Sequence, residues 1–275
     1  MKVEYIDHMG DDLKVVNMAR ASFDKKSDWV TIKETRYEDH TLLGRIPYDV
    51  NVKTLSQRDR DLLFFLSRGM PKKDYEDIIT RMVQANDPDT IKALIKELDV
   101  DKHWAPFAHC QVTFYVEAPI PIARQMFKHK IGMVESEVSR RYVSDEPDVF
   151  LPDIWRERPA NIKQGSTDTA VDLAPILNMD GSNGAVKTPI EIVQDAIETY
   201  QALNELGVTP EQARFILPQG MMTSWYWTGS LVSFARVVKQ RTSSHAQFEA
   251  RTLSGQIKDH LTRLFPVSMD ALLNG

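Results

Sequence analysis

Cysteine is nearly missing from these 275 residues: Cys110 is the only one, which excludes an internal disulfide framework and any cysteine-based zinc cluster. Long apolar runs are missing too. No stretch approaches the roughly 20 apolar residues needed to cross a bilayer. The opening Met1-Lys2-Val3-Glu4-Tyr5-Ile6-Asp7 has no apolar run of the kind a secretion signal carries. These absences predict a soluble protein of a reducing compartment, the cytoplasm, with no membrane partner. A basic surplus is also lacking: 34 Lys and Arg against 39 Asp and Glu leave a net charge of −5, and a nucleic-acid coat normally needs the opposite sign. Neither common Gly-rich phosphate loop is present, nor a Gly-x-Ser-x-Gly elbow, nor a metalloprotease signature.

What is present reads as a helix-rich globular chain, 42% hydrophobic and 27% charged. Val3 to Asp7 predicts a short strand, and Asp12 to Arg20 a helix with Leu13, Val16 and Ala19 on one stripe. Polar sequence then runs to about Asn51. Ser56 with Asp59 three residues on predicts a capped helix that Gly69 ends. Two packing helices are expected within 72 to 98. The first carries Tyr75, Ile78, Ile79, Met82 and Val83; the second opens on Asp87-Pro88 and buries Ile91, Leu94, Ile95 and Leu98. Cys110 to Glu117 alternates as a strand with one buried face, and Ile122 to His129 has helical spacing. Residues 145 to 188, rich in Pro, Asp, Asn, Gly and Ser, predict a long covering loop. Helices are expected from Thr188-Pro189 with Ile190, Val193, Ile197, Tyr200 and Leu203, from Thr209-Pro210, over Ser230 to Lys239, and over Ala246 to Phe265. Strands and helices do not alternate as in a doubly wound sheet.

Three stretches carry chemistry. Arg124-Gln125-Met126-Phe127-Lys128-His129-Lys130 alone would be a solvated basic face. Its sequel, Glu135-Ser136-Glu137-Val138-Ser139-Arg140-Arg141-Tyr142, packs carboxylate, hydroxyl, guanidinium and phenol into a few residues. Arginine beside serine suits a phosphate, because the planar fork and the hydroxyl both donate to its oxygens. His103-Trp104-Ala105-Pro106-Phe107-Ala108-His109 has two histidines without a third ligand, so no metal is expected and a flat heterocycle is the better occupant. Leu217 to Ser230, with Trp225-Tyr226-Trp227, leads to Arg236, Arg241 and His245-Ala246-Gln247-Phe248-Glu249. Many cationic donors and no activated nucleophile suggest that a cofactor performs the difficult step.

In this order the motifs resemble the flavin-dependent thymidylate synthases (ThyX family) over most of the chain. They are Ala19-Arg20-Ala21-Ser22-Phe23, His103 through His109, Arg124-Gln125 with Lys128-His129-Lys130, Glu137-x-Ser139-x-Arg141-Tyr142, Ala213-Arg214, Trp227-Thr228-Gly229, and Arg241 with His245 to Glu249. The family hallmark is Arg-His-Arg, seven residues, then Ser. Here Lys128-His129-Lys130 is followed by eight residues before Ser139, Ser136 replaces a usual Asn, and Val232 stands where an arginine is common. These departures mark a variant subgroup.

The resemblance implies an α+β fold, a small mostly antiparallel sheet with surrounding helices, as a single catalytic domain over 1–275. A helical insertion at about 70–102 and the 145–188 loop would elaborate it. It implies reductive methylation of dUMP to dTMP with methylenetetrahydrofolate as carbon donor, FAD as hydride carrier and NADPH as reductant, in a homotetramer with active sites where subunits meet. Gln125, Lys128, Glu137, Ser139, Arg140, Arg141, Arg214 and Arg241 would hold dUMP, Arg241 facing the uracil as the catalytic cation. Ser22, His103, Ala105, Lys128, His129, Lys130, Glu137, Ser230 and Arg236 would contact FAD; no metal is implied. Two rivals stand beside this reading: a flavin- and dUMP-binding protein that has lost methylation through its altered motif, and a single-stranded nucleic-acid binder using the Trp225-Tyr226-Trp227 cluster.

Overall fold

The computed structural model of the chain describes residues 1–41, 44–160, 166–173 and 187–275. The chain forms two compact units, the first from residues 1–7, 112–229 and 236–260, the second from 8–111, 230–235 and 261–275.

The first unit is built on a four-stranded sheet. Its strands β1 (Lys2–Met9), β4 (Gln111–Pro119), β5 (Met133–Glu137) and β6 (Met222–Ser230) lie in the order β1-β4-β6-β5. β5 and β6 run antiparallel with Met133 opposite Gly229 and Glu137 opposite Trp225. The period-two alternation sorts the two faces. Val112, Phe114, Val116, Trp225 and Trp227 are buried on one; Thr113 and Thr228 hydrogen-bond across the other at 3.1 Å, where Tyr115 and Tyr226 also meet. Helix α10 (Phe248–Leu264) lies against the buried face. There Gln256 accepts from the Val3 amide at 2.9 Å and His260 sits beside Phe114. α6 (Ile120–Met126) buries Ile122, Ala123 and Met126. It stops at Met126, three residues short of the helix expected through His129, and Pro119 and Pro121 open it. α7 (Pro189–Glu205) has a full capping box between Thr188 and Glu191. The helix expected at Thr209 is one turn, α8 (Pro210–Ala213), followed by a 3-10 turn over Arg214–Ile216.

The second unit holds α1 (Asp12–Arg20), α2 (Gln57–Arg68), α3 (Lys72–Gln84), α4 (Pro88–Leu98), α5 (Ala105–Ala108) and α11 (Pro266–Asn274). The expected caps are in place, Ser56 accepting from Asp59 N at 3.2 Å and Asp87 from Thr90 N at 2.8 Å, and the structure adds Asp11, which accepts from Lys14 N at 2.7 Å. Gly69 ends α2 at φ 79°, and a Cβ there would meet the Asp101 carbonyl at 2.5 Å, so no other residue fits. α3 and α4 share a small core of Met70, Ile78 and Leu94. Val83 and Ile95, expected inward, are exposed, because only one stripe of a helix pair this short can be covered. α11 is capped from far away: the buried Asp12 carboxylate accepts the Val267 and Ser268 amides, each at 2.9 Å.

The polar stretch up to Asn51 holds a ribbon of two antiparallel strands, β2 (Val30–His40) and β3 (Gly44–Thr54), paired from Val30 with Thr54 to His40 with Gly44. In the 145–188 segment, isolated bridges join Val149 to Met221 and Arg156 to Ala170; positions 161–165 and 174–186 lie outside the described residues. α9 (Leu231–Arg241) runs from the second unit into the first. Among the described residues, no helix is long and apolar enough to cross a membrane.

Candidate functional site

The first unit contains a cavity of about 590 Å³ with Arg124, Glu137, Ser139, Arg140, Arg141 and Arg214 in its wall. Three elements bring these residues together. β5 delivers Glu137 at its last position, and the Val138 amide bonds to the Ser224 carbonyl at 2.9 Å, holding the following turn to β6. In that turn Tyr142 N donates to Ser139 O at 3.0 Å and Arg141 Nε to Ser139 Oγ at 3.3 Å, so serine and arginine are fixed as a pair. The 3-10 turn supplies Arg214, whose Nε donates to Glu211 O at 3.2 Å.

The arginines differ in freedom. Arg140 is committed to Asp145, bonding its carbonyl at 2.5 Å and its carboxylate at 3.0 Å. Arg124, Arg141 and Arg214 have no ion-pair partner among the described residues. Three guanidiniums without an ion-pair partner, a hydroxyl and one carboxylate share this cavity wall, a donor set whose chemistry suits an oxyanion. Glu137 is braced by Thr223, which donates to its Oε1 at 2.7 Å. Thr223 has no signal in the sequence; a lone threonine in a strand is unremarkable until its diagonal neighbour is known.

Arg241, Gln125 and His129 form a second cluster in the same unit and are not in that cavity's wall. Arg241 Nε donates to His129 Nε2 at 3.0 Å and its terminal nitrogen to the Gln125 carbonyl at 3.2 Å. The imidazole accepts, so it is neutral with its proton on Nδ1. Burial, and next the Arg241 charge, push the His129 pKa below its ordinary 6.5. Gln125 Nε2 bonds Gln247 at 2.6 Å, Gln247 bonds Glu249 at 2.9 Å, and Arg156 pairs with Glu249 at 3.0 Å. Arg156 is thereby tied to the Arg241 cluster, a connection made by residues far apart in sequence. Lys128 is exposed, and Lys130 pairs with Glu135.

The second unit has its own cavity, about 630 Å³, which gathers Ser22, Phe65, His103, Trp104 and Ala105. His103 stacks on Phe65 with ring centroids 5.8 Å apart, and its amide donates to Leu66 O at 3.0 Å. The segment bearing Ser22 is held by Asp59, which accepts from Arg20 at 2.5 Å and from Ser27 at 2.8 Å. Burial raises the Asp59 pKa, but the bonds from Ser56, Arg20 and Ser27 outweigh it and hold the carboxyl below its ordinary value. An imidazole, a hydroxyl and aromatic walls suit a flat heterocycle. Ser230 is buried and accepts from Ser233 N at 3.3 Å, capping α9, and Arg236 is exposed on that helix. Cys110 is fully buried, and burial pushes its thiol up to about 11, as a structural cysteine requires. No group of metal-ligating side chains occurs among the described residues.

An α+β chain with one cavity walled by arginines and a serine hydroxyl and another walled by aromatic side chains has the chemistry of the class of nucleotide-handling proteins. The family described as thymidylate synthase complementing protein matches residues 4–267. The flavin-dependent thymidylate synthase of Thermosipho melanesiensis is 32% identical over 186 residues, 68% of this chain and 78% of that one. That of Thermus thermophilus is 31% identical over 179 residues, 65% and 62% of the two chains. A solved UMP/dUMP methylase, PolB from Streptomyces cacaoi, shares the fold at a TM-score of 0.66 with 22% identity, over 99% of this chain and 94% of that one. The chain belongs to the flavin-dependent thymidylate synthase family.

Proposed function

We propose that this chain methylates dUMP reductively to dTMP, taking the carbon from methylenetetrahydrofolate, with NADPH as the source of reducing equivalents. The observation that carries this reading is the cavity in which Ser139, Arg141 and Arg214 converge with two guanidiniums unpaired. A nucleotide phosphate satisfies all three, and Glu137 remains to accept from a sugar hydroxyl or a base N–H. Gln125, Lys128 and Arg140 complete the nucleotide set. Arg241 is the cation assigned to the uracil, where it stabilises negative charge as the ring becomes nucleophilic. No thiol is needed for that step, in keeping with a buried Cys110.

FAD, when bound, supplies the hydride. Ser22, His103 and Ala105 would hold it in the aromatic trough; Lys128, His129, Lys130, Glu137, Ser230 and Arg236 are the further FAD contacts that the family resemblance implies. The make-up of the trough supports this reading: the His103 imidazole stacked on Phe65, the Ser22 hydroxyl, the polar Lys102 and His109, and otherwise apolar walls suit a flavin. Lysine for arginine at 128 and 130 keeps the charge and gives up the bidentate fork. Assembly is as a homotetramer with active sites where subunits meet, in the cytoplasm.

The test is anaerobic incubation of the purified protein with FAD, dUMP, methylenetetrahydrofolate and NADPH. The expected product is dTMP. NADPH oxidation without dTMP would assign a flavoprotein that has lost the methylation, and a colourless protein that takes up no FAD would remove the flavin reading.

A further inference from the structure

A glutamate in a cavity lined with arginines is a liability as well as an asset. Glu137 is the one carboxylate in a wall that also bears Arg124, Arg140, Arg141 and Arg214. Left to itself, a flexible carboxylate there would fold onto a guanidinium. The site would then neutralise itself and compete with any incoming anion. Among the described residues, no such ion pair forms.

The reason lies across the sheet. Glu137 is directly opposite Trp225, and Thr223, two residues along the same strand, shares that face as its diagonal neighbour. Thr223 is only 7% exposed. Its hydroxyl donates to Glu137 Oε1 at 2.7 Å, and β-branching restricts its χ1 rotamers, so the donor is held by the strand. Oε2 is left for a ligand.

We propose that Thr223 is a positioning residue for nucleotide binding: its hydroxyl holds the Glu137 carboxylate on the β6 side of the cavity and so keeps Arg141 and Arg214 free for an oxyanion. The inference rests on the reading of this cavity as the dUMP site. Thr223 itself lines the cavity, but in this scheme its one hydroxyl proton is given to Glu137, so its effect on the nucleotide runs through that carboxylate.

The test is dUMP affinity measured by titration calorimetry on the wild-type chain, Thr223→Val, Thr223→Ser, Glu137→Gln and the Thr223→Val/Glu137→Gln double variant. Thr223→Val is expected to weaken dUMP about tenfold, the scale of one hydrogen bond to a charged group. Thr223→Ser keeps the donor and is expected to stay within about twofold of wild type, below one neutral hydrogen bond's worth. Glu137→Gln cannot pair with the arginines, so adding Thr223→Val to it is expected to cost nothing further. A purely structural threonine would give additive losses, and additivity overturns the proposal. So does wild-type affinity in Thr223→Val, or a serine variant as weak as the valine one. Thr223→Ala removes the same donor should the valine variant fail to fold. A wild-type chain with no dUMP affinity overturns the reading of the cavity itself, and the role of Thr223 with it.

Discussion

Replacing Arg214 with alanine isolates the phosphate contact. Its guanidinium has no carboxylate partner among the described residues, and its one hydrogen bond runs from Nε to the Glu211 carbonyl at 3.2 Å, three residues back in the chain. Removing it therefore strands no buried charge. The cost to the unliganded fold is that one local bond, about 1 kcal/mol or less. In the complex the loss is larger, because a charge-assisted bond to a phosphate oxygen contributes about 1.5–3 kcal/mol. This corresponds to a dUMP dissociation constant higher by about ten- to 150-fold. The contrast is Arg140→Ala, where the lost partner is Asp145 at 3.0 Å, so the turn loosens and stability falls along with affinity. The assay is calorimetric titration with dUMP at two ionic strengths, alongside thermal melting. Arg214→Ala is expected to bind weakly, melt normally and show a shallower salt dependence. Unchanged dUMP affinity would refute the assignment of this arginine to the phosphate.

Other consequences can be checked separately. Asp12→Ala removes the acceptor of two buried amides at the start of α11 and is expected to cost about 2 kcal/mol in urea unfolding at pH 7; a loss under ~0.5 kcal/mol would contradict it. The folded chain keeps His129 neutral below its ordinary 6.5, so the unfolded chain binds the proton first. Stability then decreases as pH falls from about 6.5 toward the depressed folded value; Glu or Asp titration at lower pH is separate. His129→Gln should remove that part of the slope, and an identical slope in the variant would rule out this origin. Cys110, buried with its thiol pushed up to about 11, should resist iodoacetamide at pH 8 in the native state and react fully in urea, as read by mass spectrometry; rapid native alkylation would contradict its burial.

The sequence disclosed features whose physics is local. Ser56, Asp87 and Thr188 each bond an amide three residues on, and a cap with its partner lies within one turn of text. The Ser139-Arg140-Arg141 cluster was legible for the same reason, and the resemblance added Arg214 from a distant segment. What stayed hidden depends on remote pairing. The β2–β3 ribbon has its strand residues exposed or half-buried, so burial leaves little hydrophobic alternation to separate it from a polar loop. β5 and β6 were masked by the density of functional residues on them. The cap of α11 comes from Asp12, and the restraint on Arg241 from His129, 112 positions away. Thr223 falls in this group too: only the β5–β6 register makes it a neighbour of Glu137.

The most direct measurement is a crystal structure of the chain with dUMP bound. The phosphate is expected within hydrogen-bond distance of Ser139, Arg141 and Arg214, with Arg124 and Glu137 also in the cavity wall. A phosphate held elsewhere, with Arg141 and Arg214 still unpaired, would contradict the account.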